Sequence, residues 1–253
     1  MLSYRIITAL VALPGFLIVG YLGGVYLKIL TALMALIGFY ELYRMFLTKE
    51  LKLYVPLAYF LLLLGFFDLV SREILPYFFF IATGIYYLVK HQKHSVLEFF
   101  YTYTSLMYVF LFIFIYEIRS TPPGFRLFLF YFLLIWANDT FAYFVGKKFG
   151  RRKIAPALSP KKSVEGALGG LLGALFIAFL YGRFVLGSLT LLPLAFVTAL
   201  IAQAGDFLES AIKRFAGVKD SGEILPGHGG ILDRFDGVLL SAPVFYYLYL
   251  LFN

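Results

Sequence analysis

The chain has 253 residues, 62% of them hydrophobic, 20% aromatic and only 14% charged, with a mean hydropathy of +0.88. Soluble domains are nearer half apolar and a quarter charged, so this composition excludes an ordinary soluble globule and implies an integral membrane protein. The net charge of +8 is no sign of nucleic acid, since Lys and Arg of polytopic proteins gather in cytoplasmic loops beside anionic headgroups, and the absence of Cys excludes disulfides and thiolate chemistry.

Repeated long apolar runs, without short alternating strands, point to an all-α polytopic architecture rather than a barrel. About nine transmembrane helices are expected, near residues 6–22, 24–46, 54–71, 75–90, 96–118, 125–146, 163–184, 188–212 and 231–252. A crossing takes about 20 residues, so the third and fourth are short for a full span. The first run follows Arg5, contains Pro14-Gly15 as an expected kink, and has no small-residue cleavage site after it. It is read as a retained helix.

With the amino terminus in the cytoplasm, 17 Lys and Arg residues fall inside and 5 outside. Eleven of the 17 come from two loops that could be basic for catalytic reasons; without them the balance is 6 against 5. The expected arrangement is an inner-membrane protein, if bacterial, with a polar cleft on the cytoplasmic side. Residues 1–120 are read as N-terminal scaffold helices with room for oligomer contacts, and 121–253 as the catalytic helices.

The first half offers little chemistry. Tyr and Phe are read as interfacial belts and lipid-facing packing. Lys90 to His94 is read as a solvated loop, and Glu41, Glu98 and Glu117 as headgroup-level residues near span ends.

From Trp136 the character changes. Asp139 lies near the cytoplasmic end of the sixth span, followed by two basic clusters, Lys147 to Lys153 and Lys161-Lys162. Ser163 is a candidate N-cap for the seventh helix. Backbone N–H groups at that helix start, beside two lysines, would suit a phosphate; the same loop reads equally as a positive-inside anchor. Gly166, Gly169, Gly170 and Gly173 predict close helix packing.

The stretch from Asp206 to Gly237 is the most informative. Six acids (Asp206, Glu209, Asp220, Glu223, Asp233, Asp236) and four bases (Lys213, Arg214, Lys219, Arg234) lie between and within two apolar segments. Charge at membrane depth is costly and marks function by default. On one helix, Asp206 is a turn from Glu209 and Ser210 and two turns from Lys213, with Phe207 expected on the opposite side. Asp233 and Asp236, at i and i+3, are expected on one face of the last helix. Asp206, Asp233 and Asp236 would form an oxygen-rich site for Mg²⁺, with allowance for a second cation. Nearby bases would hold polyphosphate oxygens, which suits phosphoryl or nucleotidyl transfer.

The pattern Ser210, Lys213-Arg214, Lys219-Asp220, His228-Gly229-Gly230, Asp233-Arg234 and Asp236 resembles the signature of phosphatidate cytidylyltransferases, also called CDP-diacylglycerol synthases. The run Asp139-Thr140, Ala142-Tyr143, Gly146, Ser159-Pro160-Lys161-Lys162 and Glu165-Gly166 is similar to that family too. The resemblance is strong over about 136–237 and topological before that. It implies that CTP and phosphatidate give CDP-diacylglycerol and pyrophosphate with Mg²⁺, for phospholipid synthesis. It also implies catalytic roles for Asp206, Lys213, Lys219, Asp220, His228, Asp233, Arg234 and Asp236. Asp139, Ser159, Lys161, Lys162, Ser210 and Arg214 would bind substrate. His228 would orient a phosphate or donate a proton, or else serve a structural bond in its Gly-rich turn. The partners implied are the two substrates and membrane lipid; the aromatic, glycine-bearing surfaces allow a homodimer without requiring one. The rival readings are a CTP-dependent lipid or polyprenol kinase and, in another class, a cation-coupled transporter. A transporter is disfavoured because the acids cluster at one side of the membrane and no internal repeat is visible.

Overall fold

A computed structural model describes residues 2–187, 191–224, 227 and 229–252, with side chains described from residue 10 onward. It is all-helical. The helices are α1 (Leu2–Leu22), α2 (Gly24–Leu47), α3 (Val55–Phe66), α4 (Leu75–Lys90), α5 (Val96–Phe110), α6 (Ile113–Ser120), α7 (Phe125–Phe149), α8 (Val164–Tyr181), α9 (Leu191–Ala216) and α10 (Leu232–Phe252). A π-helical turn, Gly182–Leu186, extends α8.

Among the described residues, six helical segments are long and apolar enough to cross a membrane: Gly24–Leu47, Val96–Ser120, Phe125–Phe149, Val164–Leu186, Leu191–Ala216 and Leu232–Phe252. This is a polytopic integral membrane protein. The expected spans at 54–71 and 75–90 are shorter apolar helices of 12 and 16 residues.

The chain divides into two compact units: Met1–Ile113 with Phe215–Arg234, and Phe114–Arg214 with Phe235–Asn253. In the first, α2 packs on α3 and α5, and α4 on α5. The start of α5 is set by a capping box: Ser95 Oγ accepts from the Glu98 N–H at 3.3 Å, and Glu98 Oε2 accepts from the Ser95 N–H at 3.1 Å. Glu98 also accepts from the Lys52 N–H at 2.8 Å and lies 2.7 Å from His94 Nδ1. It is buried, because these partners replace water.

In the second unit, α7 lies against the glycine stripe of α8. A Cβ on Gly170 would stand 2.7 Å from the Asn138 carbonyl oxygen, and one on Gly169 would stand 2.5 Å from Val145 Cβ. Only hydrogen at those positions lets the two helices approach this closely. Ser163 caps α8 as expected, accepting from the Gly166 N–H at 3.1 Å. Aromatic residues fill the interior as well as the lipid face: Tyr131, Phe128, Phe130, Phe132 and Phe245 are fully buried. The Tyr131 hydroxyl lies 2.7 Å from Ser241 Oγ, which satisfies its polar end.

Candidate active site

Two polar centres emerge, one in each unit. That of the second unit is built on α7, α9, the start of α10 and the basic loop before α8. The loop is folded back on itself: Lys153 and Ser163 form an antiparallel bridge, and the Val164 N–H donates to the Arg152 carbonyl at 2.9 Å. Glu165, in the first turn of α8, pins the loop by accepting from the Arg151 N–H at 2.9 Å. The two basic clusters therefore share one cavity of about 640 Å³, lined by Asp139, Asp206, Lys147, Lys153, Lys161 and Lys162 among others.

Lys162 forms an ion pair with Asp206, and its Nζ lies 4.3 Å from the centroid of the Phe207 ring. Phe207 thus shares the cavity with Asp206, contrary to the expected opposite side, because successive helical residues are only about 100° apart. Asp139 and Asp206 interact electrostatically, and Asp236 is within range of both and of Glu209. Gln203 Nε2 donates to Asn138 Oδ1 at 2.8 Å, and Asn138 Nδ2 donates to Asp139 Oδ1 at 3.3 Å, so a short amide relay orients the Asp139 carboxylate. Asp236 Oδ1 accepts from the Gly237 N–H at 2.7 Å. A Cβ on Gly205 would lie 2.5 Å from the Asp236 carbonyl oxygen, so α9 meets α10 across a glycine beside Asp206.

The other expected residues of this unit are more peripheral. Lys213 pairs with Glu209, which is 1% exposed, one turn away. Arg214 Nε donates to the Leu158 carbonyl at 3.3 Å, and Ser159 sits half-buried in the turn preceding Lys161. Ser210 is half-buried on α9.

The centre of the first unit holds Asp233. Its Oδ2 accepts from the backbone N–H groups of Ser221 and Gly230, each at 2.8 Å, and lies 3.0 Å from the Ser221 hydroxyl. The buried carboxylate of Glu41 adjoins the same serine at 2.8 Å. A cavity of about 940 Å³ beside it is lined by Arg44, Lys219, Asp220 and Arg234, among others. His228 lies outside the described residues. The regular i, i+3 repeat expected from Asp233 to Asp236 is broken by Phe235, whose φ of −121° and ψ of 15° are not helical.

Sequence reasoning missed Glu41 and Ser221. Glu41 reads as a span-end residue, and its partners Ser221, Ile231 and Leu232 lie 180 to 191 positions further along the chain.

The donor set around Asp206 suits a hard cation. Among the described residues, no three acidic or His side chains form a ready-made metal cage. Mg²⁺ does not require one, since it is held by one or two carboxylates plus water and substrate phosphates. Asp206 and Asp236, crowded by like charge, fit that pattern.

A model described as the cytidylyltransferase family matches residues 3–252. Among similar curated proteins, the phosphatidate cytidylyltransferase of Staphylococcus epidermidis RP62A is 36% identical over 255 aligned residues, covering 96% of this chain and 97% of the relative. The protein of the same name from Staphylococcus aureus COL matches with the same identity and coverage. That of Thermotoga maritima is 51% identical over 123 residues, 45% of each chain.

Proposed function

The chain belongs to the cytidylyltransferase family, and from that premise we propose that it transfers the cytidylyl group of CTP to phosphatidate, giving CDP-diacylglycerol and pyrophosphate. The observation that carries this reading is the meeting of Asp139, Asp206 and Lys162 on a lysine-lined cavity in a membrane-embedded unit, with Asp236 in electrostatic range of both acids. Acids with lysines at such a place suit a reaction in which phosphates must be gathered and neutralised.

The phosphate of phosphatidate is already an anion, so no strong general base is required. One of its oxygens forms a bond to the α-phosphorus of CTP. The bond from that phosphorus to the oxygen bridging towards the β-phosphate breaks, and pyrophosphate leaves with the electron pair. Lys147, Lys153, Lys161 and Lys162 would offset the charge of both substrates. Asp206 and Asp236 would hold Mg²⁺, which when bound supplies charge neutralisation at the phosphoryl oxygens. Asp139, steered by Asn138 and Gln203, would orient the nucleotide or the cation.

The family resemblance also assigns phosphate binding to Lys213, Arg214, Lys219 and Arg234, a catalytic role to Asp220 and substrate binding to Ser159 and Ser210. His228 would orient a phosphate or donate a proton, or else serve a structural bond in its Gly-rich turn. Asp233, expected as a third metal ligand, belongs to the first unit. The site would open to the cytoplasm, with the amino terminus on the same side, since CTP is cytoplasmic and the loop lysines follow the positive-inside bias.

The test is incubation of detergent-purified protein with labelled CTP, phosphatidate and Mg²⁺. A lipid-linked cytidine product is expected. Its absence, with phosphorylation of a polyprenol instead, would replace this reading with a CTP-dependent kinase.

A further inference from the structure

We infer that Glu41, from the first third of the chain, is a positioning residue for this reaction: it holds Ser221 and the start of α10, and through them Asp233. The inference rests on the function proposed above.

Glu41 lies on α2 and is 2% exposed. A carboxylate in such a place is costly unless its lone pairs are matched. They are. The Ile231 N–H donates to Oε1 at 2.7 Å, the Leu232 N–H donates to Oε2 at 3.0 Å, and the Ser221 hydroxyl donates to Oε2 at 2.8 Å. The two amides stand at the N-terminus of α10, where no helical carbonyl can receive them and where negative charge is favoured.

The Ser221 hydroxyl is also 3.0 Å from Asp233 Oδ2. One hydroxyl has one proton, so it serves one carboxylate at a time, and the backbone N–H groups of Ser221 and Gly230 hold Asp233 in either case. Ser221 therefore couples two carboxylates that are 192 positions apart in the chain (41 to 233).

The loop is shaped around this pair. A Cβ on Gly222 would lie 2.9 Å from Glu41 Oε1, and one on Gly230 would overlap Ser221 Oγ and both Glu41 oxygens. Gly229 has φ +84°, and a Cβ there would lie 2.5 Å from Asp233 Oδ2. The two glycines after His228 are thus explained by the carboxylates they touch. Glu41 reaches Asp233 and its loop, and through the loop Lys219, Asp220 and Arg234; this is positioning rather than contact with substrate.

Glu41→Gln keeps the shape but places an amide NH₂ where either the Ile231 or the Leu232 N–H needs an acceptor. Steady-state kinetics on the detergent-purified full chain, with CTP and phosphatidate, is paired with deuterium exchange over residues 219–234. The expected result is a kcat lower by about 10- to 100-fold. KM for both substrates should stay within about threefold. Faster exchange should be confined to that stretch. A kcat equal to that of the unsubstituted chain overturns the inference, as does unchanged exchange. Should Glu41→Gln fail to fold, Ser221→Ala decides: a kcat lower by about tenfold supports the inference, and an unchanged one overturns it. An inactive unsubstituted chain would defeat the proposed function instead, and the exchange comparison would then decide whether Glu41 holds the loop.

Discussion

Lys162, two residues before α8, is ion-paired to Asp206 on α9. The pair joins the basic loop to the acidic helix of the second unit. Asp139 and Asp236 lie within electrostatic range of Asp206, and a divalent cation held by Asp206 and Asp236 is the arrangement proposed for the reaction.

Asp206→Asn and Asp236→Asn each remove one negative oxygen from that group without changing its shape. Each is expected to lower kcat by about a thousandfold. The Mg²⁺ concentration for half-maximal rate should rise in whatever activity remains, and chelation should silence the unsubstituted enzyme reversibly. Titrating Mg²⁺ in a detergent assay checks all three; a normal Mg²⁺ dependence in both variants would place the metal elsewhere.

Lys162→Met removes the ammonium but keeps the apolar stem over Phe207. The expected loss in kcat/KM is about a hundredfold. Lys162→Arg should recover only part of it, because the guanidinium fork cannot reproduce a compact ammonium between a carboxylate and a ring face. Initial rates over a range of phosphatidate and CTP concentrations separate the two variants.

Asp233→Asn replaces an acceptor held by three donors with a group that offers an NH₂ on one side. Turnover is expected to vanish while the protein still elutes as a folded species. Near-normal turnover would show that the Asp233 carboxylate is not needed for the reaction.

Gly173→Val tests the fold rather than the chemistry. Its side chain would collide with the Phe141 ring between α7 and α8. Overpacking of this kind costs about 1–3 kcal/mol, so the thermal midpoint in detergent should fall. Gly187→Ala is no fair control, because that glycine has φ +71°. Gly15→Ala, where nothing lies near the added carbon, should leave the midpoint unchanged.

The membrane class and the helices were legible because apolar length is a property of the chain alone. So was the Ser163 cap, a local signal, and the glycine face of α8, a periodic one. The acids of 206–236 stood out because charge is rare in such company. What the chain did not disclose is depth and long-range pairing. Glu41 and Glu98 read as headgroup-level residues because each lies near the end of an apolar run. Their distant partners, Ser221 with Ile231 and Leu232 in one case and Lys52 in the other, come together only in three dimensions. The Asp233 to Asp236 spacing misled for a related reason: a three-residue interval implies a shared face only if the backbone between is helical, and Phe235 is not.

Cytidylyl transfer is tested most directly by following the label from each end of CTP. Purified protein is given phosphatidate, Mg²⁺ and CTP labelled at either the α- or the γ-phosphorus. Label from the α-position should enter the lipid, and label from the γ-position should leave as pyrophosphate. Label from the γ-position in the lipid, with the α-label left in CDP, would contradict the account and make the enzyme a kinase.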